Sequence, residues 1–216
     1  MHLMKRRLVA LVGMLLVVSL LAGCGGPKVS PEETMQILAD ACVKLDFKQA
    51  DKVGLKKDMQ EKIENAVMLK GRNMLKNKAR AGQVKITDEQ AQKVLDAAIA
   101  AQRKATITTK LVSKDSKSAV VEVSATAIDG QKLAQSLMQD MQAKVQGMTQ
   151  AQFRKEGGAI ITDVIVEALG KAEFKAEPVV FQVKCKVDEK ENIWVPEEGV
   201  EAYGKKLNQI VGGAGA

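Results

Sequence analysis

The apolar residues between positions 30 and 211 follow two different periods. In six stretches they recur at every third or fourth position, which is the spacing of one face of an α-helix. In four other stretches they alternate with polar residues, which is typical of half-buried β-strands. The pattern predicts helices at 30–45, 55–80, 87–104, 131–148, 150–170 and 197–211, and strands at 105–113, 118–127, 177–187 and 193–196.

Two of the predicted helices begin with capping residues. Ser30 comes before a proline and has Glu33 three positions later, and Thr87 has Gln90 three positions later. In a capping box the hydroxyl accepts from the backbone N–H three residues on, and the Glu or Gln side chain accepts in return. These residues therefore predict helix starts at positions 31 and 88.

The helical spacing also predicts which side chains face the core. In helix 55–80 we expect the inner face to be Ile63, Ala66, Val67 and Met74. In helix 131–148 the methionines at 138, 141 and 148 predict core filling rather than an adaptable binding groove. Segment 160–166 is apolar over a wide arc, so it is expected to be the most buried helix or to cover the sheet.

Short polar turns join the strands in pairs, so each pair predicts an antiparallel hairpin. Helices and hairpins in this order predict an α+β fold, with helices packed on an antiparallel sheet. We expect a single domain at 31–211 with a helical N-terminal half, and a frayed tail at 212–216.

The first 23 residues have the layout of a secretory signal peptide. Lys5, Arg6 and Arg7 precede an apolar run at 8–21, which is short for a transmembrane helix. The sequence that follows, Leu21-Ala22-Gly23-Cys24, resembles a bacterial lipobox rather than an ordinary cleavage site with an accidental cysteine. The resemblance implies cleavage after Gly23 and fatty acids such as palmitate on Cys24, with 24–30 as a tether. The expected location is the extracytoplasmic side of the cell membrane or outer membrane, with the membrane as a partner.

Composition narrows the chemistry of the remaining chain. The signal peptide holds three of the 33 bases and none of the 26 acids, so the formal charge after residue 23 is +4 rather than +7. The one histidine is His2, which excludes Ser-His-Asp catalysis and His-ligated zinc from the mature chain. Six scattered aromatic residues argue against a single-stranded nucleic-acid groove. We therefore expect no enzyme activity, metal, cofactor or nucleic-acid partner.

Cys42 and Cys185 remain after lipidation, and both fall on apolar faces of their predicted elements. An exported protein can form disulfides, so the two residues predict either a disulfide or two buried free thiols.

Two groups of charged side chains lead to further hypotheses. For each group, the simpler interpretation is an ordinary helix face exposed to solvent. Arg72, Lys76 and Arg80 recur at a spacing of four and could contact anionic lipids or acidic wall polymers. Asp163 and Glu167 are also four apart and could act as the paired carboxylates of a hydrolase.

The order of elements resembles small bacterial lipoproteins with a cystatin-like, or nuclear-transport-factor-2-like, α+β domain. The lipobox, the helix start at Ser30, the hairpin at 105–127 and the late Trp194-Val195-Pro196 strand carry this resemblance. It implies a curved antiparallel sheet that wraps a helix and leaves a cone-shaped cavity. The expected function is a non-catalytic module that binds a small ligand or an envelope protein. The alternatives are an envelope hydrolase and a structural protein that bridges to the wall.

Overall fold

A computed structural model describes residues 26–213 of the chain. The predicted signal peptide, the residues Leu21, Ala22, Gly23 and Cys24, and the last three residues lie outside this range. The helices are α1 (Pro31–Ala39), α2 (Lys57–Ala81), α3 (Asp88–Arg103), α4 (Gly130–Val145), α5 (Gln150–Gly170) and α6 (Val200–Val211). The strands are β1 (Ile107–Lys114), β2 (Ser118–Ala125), β3 (Val179–Asp188) and β4 (Ile193–Pro196).

The four strands form one antiparallel sheet in the order β1-β2-β3-β4. Both predicted hairpins are confirmed, and β2 pairs with β3 to join them into one sheet that does not close into a barrel. The predicted α+β fold class is therefore confirmed.

One face of the sheet carries the hydrophobic core. Val121 and Val123 point to this face and are fully buried, whereas Glu122 between them lies on the opposite, partly exposed face. Helices α1 and α6 cover the core face and contribute buried side chains such as Met35 and Leu207. The alternation predicted for β2 is thus the alternation between core and solvent.

A second group of helices extends from this core. Helix α3 contacts the π-helical turn Asp40–Lys44 that follows α1, and the remaining helices pack in the order α2-α3-α5-α4. The two outer helices of this row, α2 and α4, contain no buried residue.

Side-chain caps confirm the predicted starts of α1 and α3. Ser30 Oγ accepts from Glu33 N at 3.3 Å. Thr87 Oγ1 accepts from Gln90 N at 3.1 Å, and the Gln90 side chain accepts from Thr87 N at 2.8 Å, which completes the capping box.

The predicted inner face of α2 is wrong. Ala66, Val67 and Met74 are exposed and Ile63 is half-buried, and α2 packs on α3 through the adjoining side of the helix. Gly71 lies so close to α3 that a Cβ atom there would be 2.9 Å from Leu95 Cδ2. Because Gly71 allows this approach, the face around it is half-buried, and most of the predicted apolar stripe stays exposed.

Two further burial predictions need correction. Met138 does not fill the core, because 66% of it is exposed on the outer side of α4. Segment 160–166 is not the most buried part of the helices: of its seven residues only Thr162 and Val164 are buried, whereas α1 is buried along most of its length.

Candidate functional site

The structure opens a cleft of about 250 Å³ at one end of the sheet. Four parts of the chain form its walls: residues 27–29 of the tether, Thr34 of α1, the 3₁₀ turn at Ala50–Val53 with Gly54, and the end of the β3–β4 hairpin. The tether is held there because Asn192 Nδ2 donates to Gly26 O at 3.3 Å, and Val29 packs against the hydrophobic core. The cleft therefore lies where the chain enters its folded part.

Trp194 is the largest side chain in the cleft wall. It is the only tryptophan of the chain, and 1% of it is exposed. Its Nε1–H is buried and has no acceptor among the described residues. Lys114 Nζ lies 5.4 Å from the centre of the indole ring, within the range of a cation–π interaction. An unpaired buried donor costs free energy, so the Nε1–H of Trp194 is a candidate donor for a ligand that reaches it.

The remaining wall of the cleft is mixed in charge. Lys28, Lys52, Asp51 and Glu191 surround the opening. Lys52 Nζ lies 3.4 Å from Glu33 Oε1 in an exposed ion pair. The cleft thus offers both signs of charge to a polar ligand, without a strong preference for either.

The cleft cannot be predicted from the sequence, because it depends on contacts between distant segments. Residues 27–29 and Trp194 are more than 160 positions apart in the chain. The signal in the sequence is a single tryptophan, Trp194, shortly after a charged turn, and this signal alone does not predict a cleft.

The two cysteines are free thiols in the structure, and no disulfide joins them. Cys185 is fully buried on β3, and burial raises the pKa of its thiol to about 12. Cys42 is half-buried in the turn after α1, and desolvation raises the pKa of its thiol to about 11. Neither cysteine is therefore a reactive thiolate near neutral pH.

The three predicted basic residues of α2 are not equivalent in the structure. Lys76 Nζ lies 2.7 Å from Asp88 Oδ1 on α3, and Arg72 is half-buried, whereas Arg80 is exposed. The hydrogen bond and charge of Lys76, and then the charge of Arg72, lower the pKa of Asp88. The predicted contact of these residues with anionic polymers or lipids stays a prediction, with Lys76 already engaged within the fold.

Asp163 and Glu167 lie on the exposed side of α5. Glu167 Oε1 is 2.7 Å from Lys171 Nζ, and this hydrogen bond and charge lower the pKa of Glu167. A carboxylic acid that donates a proton in glycoside hydrolysis needs a raised pKa, so the environment of Glu167 is unsuited to that role.

Among residues 26–213, no cluster of three or more potential ligands is arranged for a metal ion. Within the same range, none of the helices has the length and hydropathy needed to cross a membrane.

A search of solved structures found a protein with a similar fold. It is the crystal structure of a "putative lipoprotein (ycdA)" from Bacillus subtilis, with a TM-score of 0.63 and 13% sequence identity. The alignment covers 83% of this chain and 55% of that protein, so the chain spans about half the length of its neighbour. The match shows a shared fold. No protein-family model and no curated protein sequence matches this chain.

Proposed function

We propose that this chain is a lipid-anchored protein of the cell envelope, whose extracytoplasmic domain binds a ligand or partner rather than catalysing a reaction. The proposal starts from the lipobox at Leu21-Ala22-Gly23-Cys24. The similar protein from Bacillus subtilis, itself described as a lipoprotein, gives it further support. The cystatin-like assignment belongs to the same proposal, and it is supported by the helix α1 that lies against an antiparallel sheet.

The observation that carries the proposal is the position of the cleft beside the tether. Gly26 is bound by Asn192 at the cleft, only two residues after Cys24. Two extended residues span at most about 7 Å. An acylated Cys24 would therefore hold this end of the domain at the membrane surface, with the cleft next to the lipid headgroups.

Two or three acyl chains on Cys24 would make the attachment stable. Each buried methylene contributes about 0.8 kcal/mol, and a single chain gives only marginal binding. The short tether would then restrict the orientation of the domain as well as its location.

A ligand for the cleft would be small and polar, and it would carry a hydrogen-bond acceptor for Trp194 Nε1–H. Non-catalytic binding is favoured because the mature chain has no histidine and because Glu167 is held in an ion pair.

The anchor is tested by labelling cells with a radioactive fatty acid. We expect the wild type to be labelled and the Cys24→Ala variant to be unlabelled and released from the membrane fraction. Cys42→Ala is the matched control and should remain labelled, because Cys42 lies inside the folded domain. Labelling of the Cys24→Ala variant would refute the anchor.

Ligand binding is tested by the mass of the protein under native and denaturing conditions. A bound ligand would appear as an adduct that is lost on denaturation and reduced by Trp194→Phe, which keeps an aromatic ring and removes the N–H donor. The protein would have to be purified without a detergent step that removes small molecules. If its native mass then shows no adduct, ligand binding in the cleft is contradicted.

A further inference from the structure

Helix α2 carries an apolar stripe that nothing in the described part of the chain covers. Met59, Val67 and Met74 lie on this stripe at helical spacing and are 44%, 38% and 53% exposed. Ile63 lies between them and is half-buried. The adjoining side of the helix is already used, because Gly71 and its neighbours pack on α3. A helix with two apolar sides, of which one is free, has a surface available for a partner.

The charges around this stripe all have one sign over the second half of α2. From position 65 to the end of the helix the chain has bases and no acid. Lys70 lies between Val67 and Met74 on the stripe, and Lys78 comes one turn after Met74. Both lysines are exposed, and the ion pairs of α2 among residues 26–213 involve Lys62 and Lys76 instead. The surface is therefore apolar and cationic, which is complementary to an anionic amphiphile.

A second copy of the chain fits this surface poorly. In a two-fold dimer the same patch meets itself, so a dimer centred on the second half of α2 would bring the lysines of both copies together across an apolar contact. Burying like charges beside one another is unfavourable.

A membrane surface fits better, because α2 begins beside the tether. Gly54 lines the same cleft as residues 27–29, and α2 starts three residues later at Lys57. The 25 residues of α2 make it about 37 Å long, so it can extend from the anchored end along the bilayer surface.

We propose that α2 lies on the anionic leaflet that holds the lipid anchor. Met59, Val67 and Met74 enter the boundary between headgroups and acyl chains, and Lys70 and Lys78 contact lipid phosphates. This inference rests on the proposed function for the nearness of the membrane. It assigns the contact to a different face from that of Arg72 and Lys76, which point toward α3.

The test uses the full chain, purified from membranes and reconstituted into vesicles that contain phosphatidylglycerol. A photoreactive phenylalanine analogue replaces Val67, and in a control it replaces Val180, which is 54% exposed on the outer face of the sheet. We expect crosslinks to lipid from position 67 and none from position 180. The yield should fall in phosphatidylcholine vesicles and at an ionic strength of about 1 M, where charges are screened within about 3 Å.

Charge variants measure how much a single lysine contributes to the contact of α2 with anionic lipid. Replacing Lys70 by glutamine should weaken the contact of α2 with anionic vesicles by about fivefold, because a base near the surface contributes about 1 kcal/mol. Lys205→Gln, on the exposed side of α6, is the matched control and should leave the contact unchanged. Unchanged tryptophan fluorescence would show that both variants are folded.

Three results would overturn the inference: a crosslink from position 67 to a second copy, a crosslink to another protein, or no crosslink while position 67 remains exposed to water. Failure of the lipid anchor is recognised separately by the intact mass, since the purified chain would then carry no acyl group. In that case the same chain added to preformed phosphatidylglycerol vesicles tests the α2 contact alone.

Discussion

Replacing Gly158 by alanine tests the packing of the helical row. Gly158 lies in the middle of α5, and a Cβ atom there would overlap the backbone oxygen of Lys85, in the loop between α2 and α3. A carbonyl oxygen cannot rotate away as a side chain can, so α5 or the loop has to move. Gly158 thus reports directly on whether α5 packs against this loop.

The expected cost follows from two opposing effects. Forcing extra volume into a packed contact destabilises a protein by about 1–3 kcal/mol. Alanine favours a helix interior over glycine by about 1 kcal/mol, which offsets part of the cost. Because the clash is with backbone, we expect Gly158→Ala to lower the free energy of unfolding by about 1–2 kcal/mol.

Gly170→Ala is the matched control at the end of the same helix. A Cβ atom at Gly170 meets nothing within 4 Å, so this variant should lose no stability. Urea unfolding followed by the fluorescence of the single tryptophan measures both variants, and the m-value should not change. In a chain of this size, 1 kcal/mol also shifts the melting temperature by about 2–4 °C. If Gly158→Ala is as stable as the wild type, α5 does not approach Lys85 as the structure describes.

The buried Tyr203 and the two thiols lead to further predictions. Tyr203 donates to Met35 O at 3.0 Å, so Tyr203→Phe should lower the free energy of unfolding by about 1 kcal/mol in the same urea assay; a neutral or stabilising effect would contradict this hydrogen bond. Burial raises the pKa of Cys42 and Cys185 in the folded state from an ordinary value of 9.0 to about 11 and about 12. The unfolded chain therefore loses these protons first, and stability should fall as the pH rises from about 9 toward 12; thermal melts across this range would show it, and Cys185→Ala should weaken the dependence. Alkylation of the native protein at pH 8 should be slow at both thiols and fast in urea, and rapid native alkylation of Cys185 would contradict its burial.

Local signals in the sequence were sufficient for most of the secondary structure. The capping box of Thr87 and Gln90 depends on residues three positions apart, and the alternation in β2 depends on one sheet face being buried. Such features act within a single element, so the chain itself contains the information for them.

Choices between two similar surfaces could not be made from the sequence. Helix α2 has two apolar sides, and the side that α3 covers is decided by the close contact of Gly71 with Leu95. Gly158 gives no local signal of its role either, and the structure places it where α5 and the Lys85 backbone meet. Both outcomes depend on pairs of elements, and helical periodicity describes only one element at a time.

The candidate site was hidden for the same reason. The cleft brings the tether at 27–29 against Trp194, so it exists only once the β3–β4 hairpin has closed on the start of the chain. The charged residues of α2 and α5 are visible in the sequence, but their ion pairs are not. Lys76 is paired with Asp88, and Glu167 is paired with Lys171.

The intact mass of the protein purified from cell membranes, with mass spectrometry of its N-terminal peptide, shows whether Cys24 carries the anchor. We predict a chain that begins at Cys24 and carries two or three acyl chains on that residue. A chain that still contains residues 1–23, or one that begins elsewhere and carries no lipid, would contradict the anchor and with it the proposed orientation of the cleft at the membrane.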